Sequence, residues 1–292
     1  MIGLVIYKEA DYLINQSYAK MLVEYGLEED LKIQVVMYEA LKLGVGEKGL
    51  WIKNGEEYIE DIDFVINRSR ESMLSKQLEL MHIPVFNSYE VTHLANHKGR
   101  THQFVSSLDI PSLRTSFFYP DFMDAPSSEF TYPFIMKTPG GHGGQEVFCV
   151  QNEDDFNELI STYKKSEWLI QEMCKHVGED VRVFVIGNKV IGAIRRFSKT
   201  DFRANYCLGG EIEWYTLKEE EEALVYKIIK HLSCDYVGID FMIDDKGKFV
   251  FNEIEDVVGS RSLYALKRID TAKAYILHIK QTLQRYRAEK NV

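Results

Sequence analysis

The alternation of apolar and polar positions divides the start of the chain into strands and helices. Residues 15–25 carry helical spacing, with Ala19, Leu22 and Val23 on one side. Apolar runs typical of buried strands lie on both sides of this segment, at 2–7, 31–37 and 63–68. Strands that alternate with helices predict a mainly parallel sheet. The first 95 residues are therefore predicted to form an α/β unit.

Smaller elements complete this unit. The Asn54-Gly55 pair between apolar flanks predicts a hairpin over 51–59. A helix is predicted near 72–81 and a short strand over 85–88. A further helix is predicted from about 89 to 107, before Ile110-Pro111.

The rest of the chain has more strands than helices. Strands are predicted on both sides of residues 138–146, over 180–196 and over 236–254. Helices are predicted near 153–164, 218–233 and 270–288. The fold class is thus α/β overall, with α+β character in the middle and C-terminal parts.

Three carboxylates, Asp240, Glu253 and Glu255, fall in one predicted hairpin with a polar turn at 244–247. Residues two apart on a strand face the same side, so Glu253 and Glu255 share a face, and the turn can bring Asp240 beside them. Carboxylates this close repel each other unless a cation neutralises them, and hard oxygen ligands suit magnesium. The hairpin predicts a magnesium site and, with it, a bound polyphosphate. The alternative is a solvated hairpin with surface acids.

A glycine-rich loop fits that polyphosphate. Four of the five residues 140–144 are glycine, namely Gly140, Gly141, Gly143 and Gly144, and Lys137 stands just before them. Glycine allows positive φ and a close approach of backbone N–H groups to an anion. No Gly-Lys-Ser/Thr follows, and a strand rather than a helix comes next, so neither a Walker loop nor a dinucleotide fingerprint is present.

Composition narrows the function classes. The net charge of −10 disfavours general nucleic-acid binding, which needs a positive face. The four cysteines form no CxxC pair, which disfavours a structural zinc site and suggests reduced thiols. No apolar run approaches the roughly 20 residues that span a bilayer, and the N-terminus does not resemble a signal peptide. A cytoplasmic protein with no membrane or nucleic-acid partner is expected.

Taken in order, these segments resemble the ATP-grasp superfamily, and most closely its ribosomal-protein glutamate ligase (RimK-like) branch. The segments that carry the likeness are 96–104, 109–115, 137–146, 169–174, 178–187, 193–196, 201–210 and 238–255. The resemblance implies an ATP-grasp fold with a Rossmann-like N-terminal domain over 1–96. It also implies a central lid subdomain over 97–173 and a C-terminal subdomain over 174–292.

The resemblance also implies roles for residues around ATP. Lys98 and Lys137 match the two lysines that reach the α- and β-phosphates. The segment Gln171, Glu172, Met173 and Cys174 matches the hinge that holds adenine. Asp180 stands where the family has an acidic ribose ligand, although a surface acid is an equal alternative. The family pattern usually has asparagine where this chain has Glu255, a change that could tighten metal binding or admit Mn²⁺ beside Mg²⁺.

Basic residues near the acidic hairpin are the candidates for catalysis. Arg203, Arg195 and Asn205 are expected to neutralise the transferring phosphoryl group, with Arg203 the first choice and Arg182 and Arg196 as secondary candidates. A solvated basic face is the alternative. The substrate candidates are Arg261 and Ser262, which follow the hairpin, and Arg68 at a strand end of the first domain.

The function implied is an ATP-dependent ligase that joins a carboxylate to an amine through an acyl phosphate and releases ADP and phosphate. Its substrates could be an amino acid, a peptide or a protein tail, and a homo-oligomer is open. Two other classes compete with this hypothesis: an ATP-binding regulatory or accessory protein without turnover, which Glu255 alone suggests, and a kinase on the same fold.

Overall fold

The computed structural model describes residues 1–121, 123, 129–144, 146–198 and 210–290. Its N-terminal unit is a four-stranded sheet in the order β2-β1-β6-β7, in which every pairing is parallel, as predicted. The elements of this unit are β1 Ile2–Tyr7, α1 Glu9–Glu28, β2 Lys32–Met37, a 3-10 turn Tyr38–Ala40, β3 Leu41–Gly46, β4 Gly49–Asn54, β5 Glu57–Tyr58, β6 Phe64–Asn67, α2 Ser72–Leu80 and β7 Val85–Phe86.

The order of this sheet creates a crevice. The chain leaves β1 for β2 on one side and later places β6 on the other side of β1. The carboxyl ends of β1 and β6 therefore flank a topological switch point, which is where open α/β sheets bind ligands. The predicted hairpin at Asn54-Gly55 is confirmed, and strands β3, β4 and β5 form a separate antiparallel sheet.

The single helix predicted over 89–107 is two helices, α3 Tyr89–Ala95 and α4 Lys98–Ser107. His97 has an extended backbone, and its Nδ1 accepts a hydrogen bond from the Arg100 N–H, 3.3 Å away, so it caps a new helix. Sequence periodicity missed the break because both helices have apolar residues toward the core. The break puts Lys98 in the first turn of α4, where its N–H donates to Pro139 O at the glycine loop.

The middle of the chain forms a small antiparallel sheet in the order β10-β9-β11-β8. This sheet has a core of its own, to which the helix Glu153–Tyr163 contributes Phe156. The strand residues of this core include Phe134, Met136, Trp168 and Ile170. The elements are β8 Thr115–Phe118, β9 Phe134–Lys137, β10 Val147–Val150, α5 Glu153–Tyr163 and β11 Trp168–Glu172. The glycine loop joins β9 to β10, as predicted.

A five-stranded antiparallel sheet in the order β14-β13-β12-β15-β16 forms the C-terminal part. Its elements are β12 Glu179–Ile186, β13 Lys189–Phe197, β14 Glu211–Tyr215, α6 Glu219–His231, β15 Tyr236–Ile243, β16 Phe249–Glu255, α7 Arg261–Ala265 and α8 Thr271–Lys290. Leu22 of α1, Phe184 of β12 and Ile276 of α8 share one buried core, so the N-terminal unit is packed against this sheet. None of the described helices is long and apolar enough to span a membrane.

Candidate active site

The three hairpin carboxylates do meet. Asp240 on β15 pairs with Glu253 on β16, and Gly238 pairs with Glu255. One oxygen from each of the three carboxylates lies within 4.8 Å of the other two. The register shifts after Asp240, so Asn252 has no opposite residue and forms a bulge beside the cluster.

A row of alternating charges crosses four strands and includes Asp240 and Glu255 of the cluster. Its order is Arg196, then Asp180 and Asp240 together, then Arg182, and finally Glu255. Arg196 Nε and Nη2 lie 2.6 and 2.5 Å from the two Asp180 oxygens, and Nη2 is 2.7 Å from Asp240 Oδ2. Arg182 Nε is 2.7 Å from Asp240 Oδ1, while its Nη2 is 2.6 Å from both Asp240 Oδ2 and Glu255 Oε1. The four members before Glu255 are buried, so each charge depends on its neighbours for solvation.

These neighbours set the ionisation of the row. Burial disfavours the charged form of Asp240, but the guanidinium groups of Arg182 and Arg196 outweigh it and hold the pKa of Asp240 below its usual value. Burial raises the pKa of Glu255 although Arg182 opposes it. Burial likewise raises the pKa of Asp180 against the pull of Arg196. Asp240 is thus the firmly ionised carboxylate of the row.

The donor set fits a hard divalent cation. Asp240 Oδ2 accepts from two guanidinium nitrogens, whereas Oδ1 accepts one hydrogen bond and keeps a lone pair. Glu253 is less engaged, because its contact with a cation is a 3.4 Å approach of Lys98 Nζ to Oε2. Carboxylate oxygens are the ligands that Mg²⁺ and Mn²⁺ take.

Two buried lysines, Lys98 and Lys137, flank the cluster. Lys98 Nζ donates to Gly141 O of the glycine loop, and Lys137 Nζ lies 3.0 Å from Asn252 Oδ1 on the bulge. Burial lowers the pKa of Lys137 to about 8; Glu253 opposes this shift and Lys98 adds to it. The side-chain hydrogen-bond partner of Lys137 is thus an amide, not a carboxylate. A bound anion would favour the protonated lysine and raise its pKa.

The backbone of the glycine loop needs glycine at specific positions. Gly143 and Gly144 have φ of 64° and 75°, in the left-handed region. A Cβ at Gly141 would lie 2.8 Å from Thr138 Oγ1. Thr138 Oγ1 in turn donates to Glu146 Oε2 across 2.5 Å and closes the loop.

A first cavity lies between the small sheet and the large one. Its apolar end is formed by Leu113, Ile135, Val147 and Met242. Most of the residues predicted to bind the nucleotide also line it, namely Lys98, Lys137, Gly141, Gly143, Gly144, Gln171, Glu172, Met173, Cys174 and Asp180. Gly140 is exposed and does not line it. Burial raises the pKa of the Cys174 thiol, in keeping with a packing role.

A second cavity opens at the switch point of the N-terminal sheet. Asp11 of α1, Arg68 and Arg70 after β6, His142 of the glycine loop and Arg261 of α7 line it. Arg70 and Asp11 form an ion pair at its wall. The two cavities have six lining residues in common, which we call the shared wall: Lys98, Gly143, Arg182, Arg196, Glu253 and Glu255.

The predicted substrate residues differ in position. Arg261 is an exposed residue of the second cavity. Arg68 lines the same cavity but is buried; its guanidinium lies 5.0 and 5.6 Å from the Tyr18 and Tyr7 ring centres and donates to Val258 O. Ser262 is buried and lines neither cavity.

The predicted catalytic residues are not all brought to the site. Arg195 pairs with Glu179 and Glu213 and lines neither cavity, whereas its neighbour Arg196 belongs to the shared wall. Successive residues of a strand face opposite sides, which explains the difference. Arg203 and Asn205 lie outside the described residues.

The sequence interpretation gave too little weight to Arg182 and Arg196 and missed Asp11, His142 and Asn252. The signal for the two arginines is the strand register, in which Arg182 pairs with Asp240 and Arg196 with Asp180. That register depends on which strands are neighbours. Asp11 and His142 come from segments far apart in the chain, and no local pattern marks them.

Comparison with known proteins gives three kinds of similarity. A model of the RimK-like ATP-grasp domain matches residues 95–279. The Mycoplasma pneumoniae protein named uncharacterized protein MG011 homolog is 25% identical over 290 residues, which cover 97% of this chain and 95% of that protein. A probable alpha-L-glutamate ligase of Pasteurella multocida is 28% identical over 222 residues, covering 74% of this chain and 70% of that one. The crystal structure of D-alanine–D-alanine ligase from Bacillus anthracis complexed with ATP superposes with a TM-score of 0.73 at 17% identity, covering 99% of both chains.

Proposed function

Because the chain belongs to the RimK-like ATP-grasp family of carboxylate–amine ligases, we propose that it forms an amide bond through an acyl phosphate made from ATP. The predicted ATP-grasp fold is confirmed, and the enzyme is a ligase of the class that forms carbon–nitrogen bonds. The observation that carries the proposed mechanism is the shared wall. It places cations and carboxylates between the first cavity and a second, charged cavity.

ATP is assigned to the first cavity. Gln171–Cys174 and the apolar end suit the adenine ring, while Lys98, Lys137 and the glycine loop suit the phosphates. Asp180 lies where a ribose could meet it, but Arg196 already engages both of its oxygens. The γ-phosphate then falls at the shared wall.

The carboxylate and amine substrates are assigned to the second cavity. The substrate carboxylate attacks the γ-phosphorus, the bond to the β-phosphate bridging oxygen breaks, and ADP leaves. The amine then attacks the acyl carbon and expels phosphate. When bound at Asp240 and Glu253, Mg²⁺ neutralises phosphate charge, and Mn²⁺ could replace it. Arg182 and Arg196 offset the negative charge that develops at the wall.

The charges of the second cavity favour an acidic substrate. Arg261 provides an exposed guanidinium suited to a carboxylate. Arg70 and Asp11, which pair with each other in the absence of a ligand, add one charge suited to a carboxylate and one suited to an amine. An amino acid with an acidic side chain, added to a peptide or protein tail, meets these charges. The glutamate ligase named among the similar proteins agrees with that choice.

The test is ADP and phosphate release with Mg-ATP against a panel of amino acids and acidic peptides, with mass spectrometry of the products. Glu253→Gln is the matched control, because Glu253 is partly exposed and its loss leaves the buried row intact. Release that needs both a carboxylate and an amine, and that Glu253→Gln abolishes, supports the ligase. ATP binding without release across the panel would favour an accessory protein, and a stable phosphorylated product would favour a kinase.

A further inference from the structure

The resemblance to the ATP-grasp family implies asparagine at this position, but the chain has Glu255, and the structure gives its carboxylate a definite partner. Glu255 Oε1 lies 2.6 Å from Arg182 Nη2, the same nitrogen that donates to Asp240 Oδ2. An asparagine amide is shorter and uncharged, so it could not balance a buried guanidinium in this way. The extra negative charge therefore belongs to an interaction with arginine.

The sheet leaves room for this arginine. Gly238 pairs with Glu255 on the neighbouring strand and with Phe184 on β12. A Cβ at Gly238 would lie 2.6 Å from Val258 Cγ2 and 3.5 Å from Arg182 Cδ. The side chain of Arg182 thus runs across the space above Gly238 and reaches the shared wall.

Two carboxylates fix the guanidinium and leave one nitrogen over. Nε and Nη2 of Arg182 donate to Asp240, and Nη2 also forms an ion pair with Glu255. Nη1 makes no hydrogen bond to any residue that the structure describes. Arg182 is 7% exposed and lines both cavities, so this nitrogen is the part of a fixed guanidinium left for a ligand between them.

Glu253 differs from Glu255 in this respect. The approach of Lys98 to Glu253 is 3.4 Å, which is longer than a strong charge-assisted hydrogen bond. Glu253 therefore keeps its oxygens for a metal ion, whereas Glu255 has one oxygen committed to Arg182.

We infer that Glu255 is a positioning residue for Arg182, and that Arg182 is the catalytic residue that contacts the phosphoryl group during its transfer. This inference rests on the proposed function. A guanidinium held at two points needs little reorganisation when negative charge develops on the equatorial oxygens of the phosphoryl group. In this arrangement Glu253 is the least engaged of the three carboxylates and is the chief ligand left for the metal ion.

A phosphoryl mimic tests the inference without any knowledge of the substrate. Affinity for Mg-ADP is compared with affinity for Mg-ADP plus aluminium fluoride, by calorimetry. We expect Glu255→Ala to weaken the aluminium fluoride complex at least tenfold and Mg-ADP less than threefold. Glu255→Gln keeps an oxygen of the same reach but loses the charge, so it should recover only part of the loss. Equal weakening of both complexes, or of neither, contradicts the inference.

A double-mutant cycle tests whether Glu255 acts through Arg182. Arg182→Lys keeps a cation beside Asp240, so this variant has the better chance of folding, and its thermal melt is the check. In the Arg182→Lys background, Glu255→Ala should change affinity for the aluminium fluoride complex less than twofold. A full tenfold effect in that background would mean that Glu255 acts independently of Arg182.

A metal titration separates the two glutamates. Mn²⁺ binding in the presence of a non-hydrolysable ATP analogue should weaken at least tenfold in Glu253→Ala and less than threefold in Glu255→Ala. Equal losses would make Glu255 a metal ligand and overturn its assignment. These measurements do not use turnover, so a failure of the proposed ligase reaction is recognised separately, as absence of ADP release by the wild-type protein.

Discussion

The two cavities share a wall but are built differently. The first is lined by lysines, loop backbone and apolar side chains from segments that each carry a recognisable local pattern. The second gathers charged side chains from α1, the end of β6 and α7, together with His142 of the glycine loop. Because a whole superfamily shares the nucleotide, short sequence motifs can mark the residues that line its cavity. The substrate cavity depends on how the N-terminal unit packs against the large sheet.

The buried row of charges supplies Arg182, Arg196 and Glu255 to the shared wall. Its ion pairs cross β13, β12, β15 and β16 and are mostly buried, so each member stabilises the ionised form of the next. Lys98 of the shared wall donates a hydrogen bond to Gly141 O of the glycine loop. Fixed charges beside a loop that lines both cavities suit the proposed reaction, which must exclude water from an acyl phosphate.

The largest expected effect comes from Asp240→Asn, because Asp240 holds Arg182 and Arg196, the two arginines of the shared wall. The change removes the charge shared by two buried guanidinium groups, and loss of one partner of a buried pair costs about 3–5 kcal/mol. Urea denaturation should show a lower free energy of unfolding by that amount, together with loss of turnover.

Asp245→Asn is the matched control for this prediction. Asp245 lies in the turn of the same hairpin and pairs with Lys175 at the surface, so its replacement should leave the denaturation curve almost unchanged. An Asp240→Asn protein as stable as this control would show that the buried row contributes no net stability.

The next effect should be confined to the second cavity. Arg70→Gln removes a guanidinium that lines the second cavity but not the first, and hydrogen bonds to charged groups contribute about 1.5–3 kcal/mol. We expect the KM for the acidic substrate to rise about tenfold or more while the Kd for ATP stays unchanged. An equal change in both constants would mean that the cavities are not separate binding regions.

A pH dependence should mark the first cavity. The pKa of Lys137 is about 8 in the free protein because of burial, and a bound phosphate favours the protonated form. Below pH 8 the lysine is already cationic, and affinity should not depend on its titration. Above pH 8 binding must take up a proton, so the Kd for ATP should rise by up to about tenfold per pH unit.

Lys137→Arg is the control for that titration, since a guanidinium stays charged throughout this range. Its Kd for ATP should be flat between pH 8 and 9.5. If the wild-type Kd is equally flat, Lys137 does not titrate in this window or does not contact phosphate.

The sequence predicted what depends on local spacing. The hairpin that joins Asp240 to Glu253 and Glu255 has its carboxylates fixed by alternation and one turn, and the structure brings them within 4.8 Å. The glycine loop was predicted in the same way, whereas the role of Lys137 came from the family resemblance and stays a prediction. The helix break at His97 was missed because it depends on a capping hydrogen bond, which leaves no periodic signal.

Long-range register explains the rest. Arg195 and Arg196 are adjacent, and alternation alone says only that they face opposite sides. Which of them meets Asp180 is settled by the pairing of β12 with β13 and β15. The second cavity requires in addition the packing of α1 against α8, which brings Asp11 near the hairpin.

The smallest expected effect tests that register directly. Arg195→Ala removes a partly exposed residue that lines neither cavity, although its partner Glu179 lines the first one, and exposed pairs contribute less than about 1 kcal/mol. Turnover and ATP affinity should change less than twofold. Arg196→Ala, one residue along the same strand, leaves Asp180 and Asp240 without a shared guanidinium and should impair both. Similar losses in the two variants would place Arg195 in the chemistry and contradict the assignment made from the strand register.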